Sequence, residues 1–182
     1  MRVLAACEFS GVVREAFKAR GHTAWSCDLE ETYIPGNHYK CDVREIVQLQ
    51  WDLMVVHPPC TYLSRSGQRW HKDKLKEKTD ALEFVKFLLE APINKICLEN
   101  PVGLISSSIR QPDQYIQPYQ FGHVEIKKTG LWLKNLPKLK MTELIEVHDR
   151  KAANSMGEQK RRSKYRSITY TGIAEAMAEQ WG

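Results

Sequence analysis

The chain has 182 residues, with 27 Lys and Arg against 22 Asp and Glu, a formal net charge of +5 and a sequence pI of about 8.9. That length suits one domain, residues 1–182, with a core large enough to need no staples. Five cysteines, an odd number without Cys-x-x-Cys spacing, and no signal-peptide pattern exclude a disulfide scaffold and point to a cytoplasmic setting; no apolar run is long enough to cross a membrane. The positive charge suits a polyanionic partner, although an ordinary basic surface carries as much.

In chain order, Val3 to Cys7 reads as a buried strand, followed by Glu8-Phe-Ser-Gly11 and a helical pattern with Val12, Val13, Ala16 and Phe17 on one face, ended by Gly21. Strand, glycine turn, helix opens many nucleotide-binding α/β units, because glycine lets the backbone approach a ligand at a helix start; it is also an ordinary βα turn. His22 to Asp28 gives a second strand that closes on an acid about twenty positions after the first turn, where a ribose-binding carboxylate is expected. His38 to Asp42 is a short third strand. Asp42 is placed either to approach a base ring or to cap a helix from Val43 to Leu49.

Leu53 to Val56 is short, β-branched and bounded by turn formers, so a buried parallel strand is predicted. Pro58 and Pro59 cannot continue it, and they deliver Cys60 at the strand's carboxyl end, the edge where open α/β sheets bind ligands. Cys60 is therefore a candidate nucleophile, or else a small buried hydrophobe. Thr61 to Lys78 is polar and basic, with Arg65, Arg69 and several lysines interrupted by Tyr62 and Trp70. It reads as a long loop suited to phosphates and bases, or as a solvated charged loop.

A crossover helix is predicted over Ala81 to Leu89, then a strand over Asn94 to Leu98 that runs into Glu99-Asn100-Pro101, where proline again ejects the chain. If the two strands are neighbours, Cys60 and Glu99 face one cleft, which packing alone does not explain. Gln111 to Phe121 reads as loop, and His123 to Lys128 with Leu131 to Leu133 as a terminal antiparallel pair turning near Thr129-Gly130. Pro137 to Ser167 is rich in Lys and Arg, an arm for nucleic acid or simply a surface arm; Thr171-Gly172 starts a closing helix to Trp181.

Taken together these residues resemble the DNA (cytosine-5) methyltransferases, especially small phage-type relatives. Glu8-Phe-Ser-Gly11 is similar to the first cofactor motif, Asp28 to the ribose-binding acid, Asp42 to the acid near the adenine, Pro58-Pro59-Cys60 to the nucleophile motif and Glu99-Asn100 to the Glu-Asn-Val motif. Amino-methylating relatives place an aromatic after the prolines, so cysteine there favours attack at carbon. Three features depart from the pattern: Val12-Val13 stand in place of later glycines, Pro101 replaces valine, and Glu125-Ile-Lys-Lys-Thr129 replaces a Gln-x-Arg-x-Arg triplet.

The resemblance implies a Rossmann-like α/β fold of the class I S-adenosylmethionine-dependent methyltransferases, a mostly parallel sheet flanked by helices with a terminal antiparallel pair. It implies S-adenosylmethionine as cofactor, held by Glu8, Phe9, Ser10, Gly11, Asp28, Asp42 and Pro58. Cys60 and Glu99 would be catalytic, Glu99 kept protonated by burial, with Asn100, Arg65 and Lys127 at the substrate; no metal is required. The implied substrate is cytosine flipped out of DNA, in the host cytoplasm if the chain is phage-encoded. Residues 137–167, a basic insert, stand where relatives carry a target-recognition domain, which leaves room for a partner that supplies recognition. Two alternatives stay open: a free pyrimidine nucleotide or RNA as substrate, and a non-catalytic cofactor- or DNA-binding relative.

Overall fold

A computed structural model describes residues 1–65, 73–146 and 168–182. Seven strands form one sheet: β1 (Arg2–Ala6), β2 (Thr23–Asp28), β3 (His38–Lys40), β4 (Leu53–Val56), β5 (Lys95–Pro101), β6 (Gln114–Ile116) and β7 (Thr129–Lys134), in the order β3-β2-β1-β4-β5-β7-β6. The first five run parallel, and β7 is antiparallel to both β5 and β6. The chain builds outward from β1 to β3 and returns to β4 on the other side of β1. This reversal opens a crevice at the carboxyl ends of β1 and β4, the usual ligand position in such sheets. The expected α/β architecture, mostly parallel with a terminal antiparallel pair, is present.

The central strands read as unbroken apolar runs because both faces are covered. On one face Val3, Ala5, Leu53 and Val55 pack with Val13 and Phe17 of α1 (Val12–Ala19) and with Ile173, Met177 and Trp181 of the closing helix, Thr171–Trp181. On the other, Leu4, Ala6, Met54 and Val56 meet Val43 and Ile46 of α2 (Val43–Ile46) and Val85 and Leu88 of α3 (Leu75–Leu89). A short α4 (Leu104–Ser108) follows β5, and the closing helix is α5.

Four sequence expectations are corrected. α2 stops at Ile46 instead of reaching Leu49, because the Trp51 indole N–H donates to the Ile46 carbonyl (2.9 Å), as does the Leu49 N–H (3.0 Å), and the chain turns there. α3 begins at Leu75, six residues before the predicted Ala81, so Lys76 and Lys78 lie on a helix. β5 does not end before its proline: it continues through Pro101, opposite Thr129. On the side away from β5, β7 pairs with β6, inside the stretch read as loop, with Gln114 opposite Leu131 and Ile116 opposite Thr129; residues 123–128 form no strand. Three charges in Glu125-Ile-Lys-Lys128 leave that segment without an apolar face to lay on the core. Residues 66–72, including Arg69 and Trp70, and 147–167, most of the basic arm, lie outside the described residues. The arm's first residues dock on α5. Trp181 Nε1 donates to Pro137 O (3.0 Å), and Lys140 exchanges two main-chain bonds with the Gln180 amide.

Candidate active site

The turn after β1 is built on a buried carboxylate. Glu8, 4% exposed, accepts through Oε1 from the Gly11 N–H (2.8 Å) and from the Ser10 hydroxyl, while its Oε2 is buried without a hydrogen-bond partner. Gly11 caps α1 at φ +83°, a backbone conformation that favours glycine. The carbonyls of Phe9 and Ser10 accept from Tyr33 and Ile34 N–H at 2.9 and 3.2 Å, tying the turn to the loop after β2.

Asp28 ends β2 and accepts from the Glu30 N–H (3.0 Å); burial pushes its carboxyl above the ordinary range. Asp42 fills its capping role: Oδ1 takes the Arg44 N–H (2.9 Å), Oδ2 the Arg44 guanidinium (2.8 Å), and Glu45 completes a capping box. Both acids line a cleft of about 100 Å³ at the strand ends, with Cys7, Phe84 and Pro59 among its other walls. The proline in that cleft is Pro59; the expected Pro58 is buried beneath it, its carbonyl taken by the Asn100 amide (2.8 Å). Burial pushes the Cys7 thiol up to about 12, with Asp28 and Asp42 adding to the effect, so this cysteine is a poor nucleophile. A much wider groove of about 990 Å³ lies between α1 and α5, and none of the predicted site residues lines it.

Cys60 is exposed at the end of the proline turn, and its carbonyl accepts from Leu63 and Ser64 N–H at 3.1 and 2.8 Å. This turn is stitched to the chain beyond β5: Arg65 N–H donates to Val102 O (3.1 Å), Leu104 N–H to Leu63 O (2.8 Å), and Ser64 pairs with Gly103. Arg65 is thus joined to this rim through its main chain. Glu99 follows the last β4–β5 pair, Val56 with Leu98, which sets it beside His57. The His57 Nδ1 to Glu99 Oε2 distance is 3.1 Å, with side-chain exposures of 8% and 18%.

Burial pushes the Glu99 carboxyl up, but the His57 hydrogen bond, the Lys127 and His57 charges and the Thr129 hydroxyl outweigh it, and the net direction is down. The expectation that burial keeps Glu99 protonated is therefore corrected: its neighbours outweigh burial and favour the charged form. Lys127 and Thr129 come from the segment that replaces the expected arginines.

The structure thus gathers Glu99, His57, Asn100 and Lys127 on the β4–β5 rim with Cys60, and Asp28 and Asp42 in the neighbouring cleft. Sequence reasoning missed His57 as a partner of Glu99. Its signal was the register of adjacent parallel strands, which places the residue after Val56 beside the residue after Leu98. It also missed Phe84, whose helical spacing reads as core.

Comparison with solved structures bears on the fold. One match is the crystal structure of a protein described as a candidate DNA modification methyltransferase encoded within a prophage (E. coli), with a TM-score of 0.53 at 15% identity over 80% of this chain. The chain shares the fold of that protein. It spans about half the length of that protein, 52%. No protein-family model and no curated protein matches it.

Proposed function

We propose that this methyltransferase fold transfers a methyl group from S-adenosylmethionine to carbon 5 of cytosine in DNA, with Cys60 as nucleophile and Glu99 at the base edge. The observation that carries this reading is one turn serving two sites: Pro59 walls the cleft that holds Asp28 and Asp42, and the next residue is the exposed Cys60. A methyl donor and a carbon nucleophile must meet within bonding reach, and a shared turn is the shortest way to bring them together.

The residues present fit the cofactor. The unpartnered buried Glu8 Oε2 is an acceptor waiting for an ammonium group, and the cleft joins the Asp28 carboxyl to the flat ring of Phe84, as a nucleoside requires. Glu8 to Gly11 would hold the amino-acid end, Asp28 the ribose hydroxyls, Pro59 and Phe84 the base. When bound, the cofactor supplies an electrophilic methyl group.

Carbon 5 of cytosine is a weak nucleophile until something adds at carbon 6. Cys60 adds there as thiolate, forming an S–C bond and pushing an electron pair into the ring toward nitrogen 3. Glu99, whose charged form is favoured at rest, takes up a proton as the base enters and displaces water, and donates it to the nitrogen 3 edge where that charge collects. After transfer, carbon 5 loses its proton to water, the electron pair left behind expels Cys60 as thiolate, and nitrogen 3 returns its proton to Glu99. In a duplex the base must first leave the stack, at about a few kcal/mol.

Incubation of DNA with the protein and S-adenosylmethionine, followed by mass spectrometry of the nucleosides, is expected to give 5-methylcytosine with the native chain and none with Cys60→Ser. The same amount of product from Cys60→Ser removes the cysteine from the reaction. Methylated dCMP without methylated DNA moves the substrate to free nucleotides.

A further inference from the structure

The His57 backbone is pinned on both sides, and its buried imidazole meets Glu99. Its backbone N–H donates to Ala6 O of β1 (3.0 Å), and the next residue, Pro58, is clamped through its carbonyl by Asn100 of β5 (2.8 Å). Its Nδ1 lies 3.1 Å from Glu99 Oε2, and Nε2 is buried with no hydrogen-bond partner. A histidine recruited only to fill space leaves no reason to bury one nitrogen unsatisfied while aiming the other at a carboxylate on the reactive rim. A leucine of similar size would pack there without either penalty.

We propose that His57 is a positioning residue for Glu99: its Nδ1 fixes one oxygen of the carboxyl, so that the group meets the ring-nitrogen edge of the target pyrimidine in a single orientation. This rests on the cytosine-methylation reading above, and it adds a residue that the family resemblance did not supply. A free glutamate side chain turns about three bonds, and each wrong rotamer takes the acid away from the base. A hydrogen bond from a buried imidazole on a pinned backbone removes those rotamers before the substrate arrives.

The same contact gives the pair a pH signature. The groups facing Glu99 are His57 after β4, Lys127 just before β7, Thr129 at its start, and Cys97 two residues earlier on β5, whose thiol is pushed well up by burial and by Glu99 itself. With His57 in place the carboxyl titrates below the ordinary range. Without the imidazole donor, burial has less opposing it and the titration moves upward.

The test compares His57→Leu, which removes the donor, with His57→Asn, whose amide nitrogen can stand near the Nδ1 position. Two readouts are taken on each folded full-length protein: kcat and KM for DNA methylation, and the carbon-13 signal of the Glu99 carboxyl against pH, assigned through Glu99→Gln. In His57→Leu, kcat is expected to fall about 10²-fold with KM for DNA little changed, and the Glu99 titration to move upward. His57→Asn is expected to recover most of both. The proposal is overturned if Glu99 titrates alike in native and His57→Leu proteins, or if both variants keep the native kcat. If the native protein forms no methylcytosine, the functional reading fails by itself, and the titration arm still decides whether His57 governs Glu99.

Discussion

β4 and β5 lie side by side, and both run into proline at their carboxyl ends, yet only β4 stops there. β4 ends at Val56, before His57-Pro58-Pro59; β5 carries Pro101 as its last paired residue. What separates them is the neighbour at that level. Beyond Leu98 no β4 residue remains for β5 to pair with, and β7 covers its other edge down to Thr129, so the missing proline N–H costs no bond to β4. β4 has β1 on one side and β5 on the other, and two successive prolines there end the ladder. The result is a division of labour: the proposed nucleophile sits on a turn, exposed, and the proposed acid sits on a strand, fixed.

That contrast can be broken from the strand side most strongly through the chemistry. Glu99→Gln keeps the shape of the side chain and its place on β5 but removes the charge that His57 and Lys127 face; turnover is expected to fall about 10²- to 10³-fold, with cofactor affinity unchanged by calorimetry. An unchanged rate would take Glu99 out of the reaction.

The stitching between turn and strand is the next place to cut. A Cβ at Gly103 would stand 1.9 Å from the Leu63 carbonyl oxygen, which is main chain and cannot swing aside. Gly103→Ala is expected to cost about 3 kcal/mol of stability, read as a lower urea midpoint, and to release the 60–65 segment to proteolysis ahead of the core. A native midpoint would show that the turn and the β5 extension are not coupled.

The smallest effect is expected at Asn100. Its amide N–H holds the Pro58 carbonyl, but its own Oδ1 is buried without a partner, so Asn100→Ala loses one satisfied bond and also one unsatisfied acceptor. The net cost is expected near 1 kcal/mol in denaturant titration. A loss several times larger would mean that Oδ1 has a partner in solution.

Much of this organisation could be read from the residues because it rests on local rules. Apolar runs at 3–7, 53–56 and 96–98 read as buried strands, and Asp42 ahead of Val43 reads as a helix cap. The rim was legible for the same reason: parallel strands end at one edge, so Cys60 and Glu99 had to share it. What failed depends on neighbours that no single segment contains. Pro101 looked like a strand breaker because the length of β4 beside it was unknown. Gln114 to Ile116 looked like loop because its pairing with β7 is long-range and its apolar content slight. Glu99 looked protonated because burial was visible in its apolar surroundings, whereas His57 and Lys127 reach it only through the fold.

The proposed chemistry has one direct test. In cytosine carrying fluorine at carbon 5, no proton is available to leave after transfer, so the bond from Cys60 to carbon 6 cannot be released by elimination. Duplex DNA containing that base, incubated with the protein and S-adenosylmethionine, is expected to give a denaturant-resistant protein–DNA species whose linked peptide contains Cys60, and none from Cys60→Ser. Methylation of ordinary DNA by the same preparation, with the methyl on an exocyclic nitrogen and no trapped species, would contradict the account.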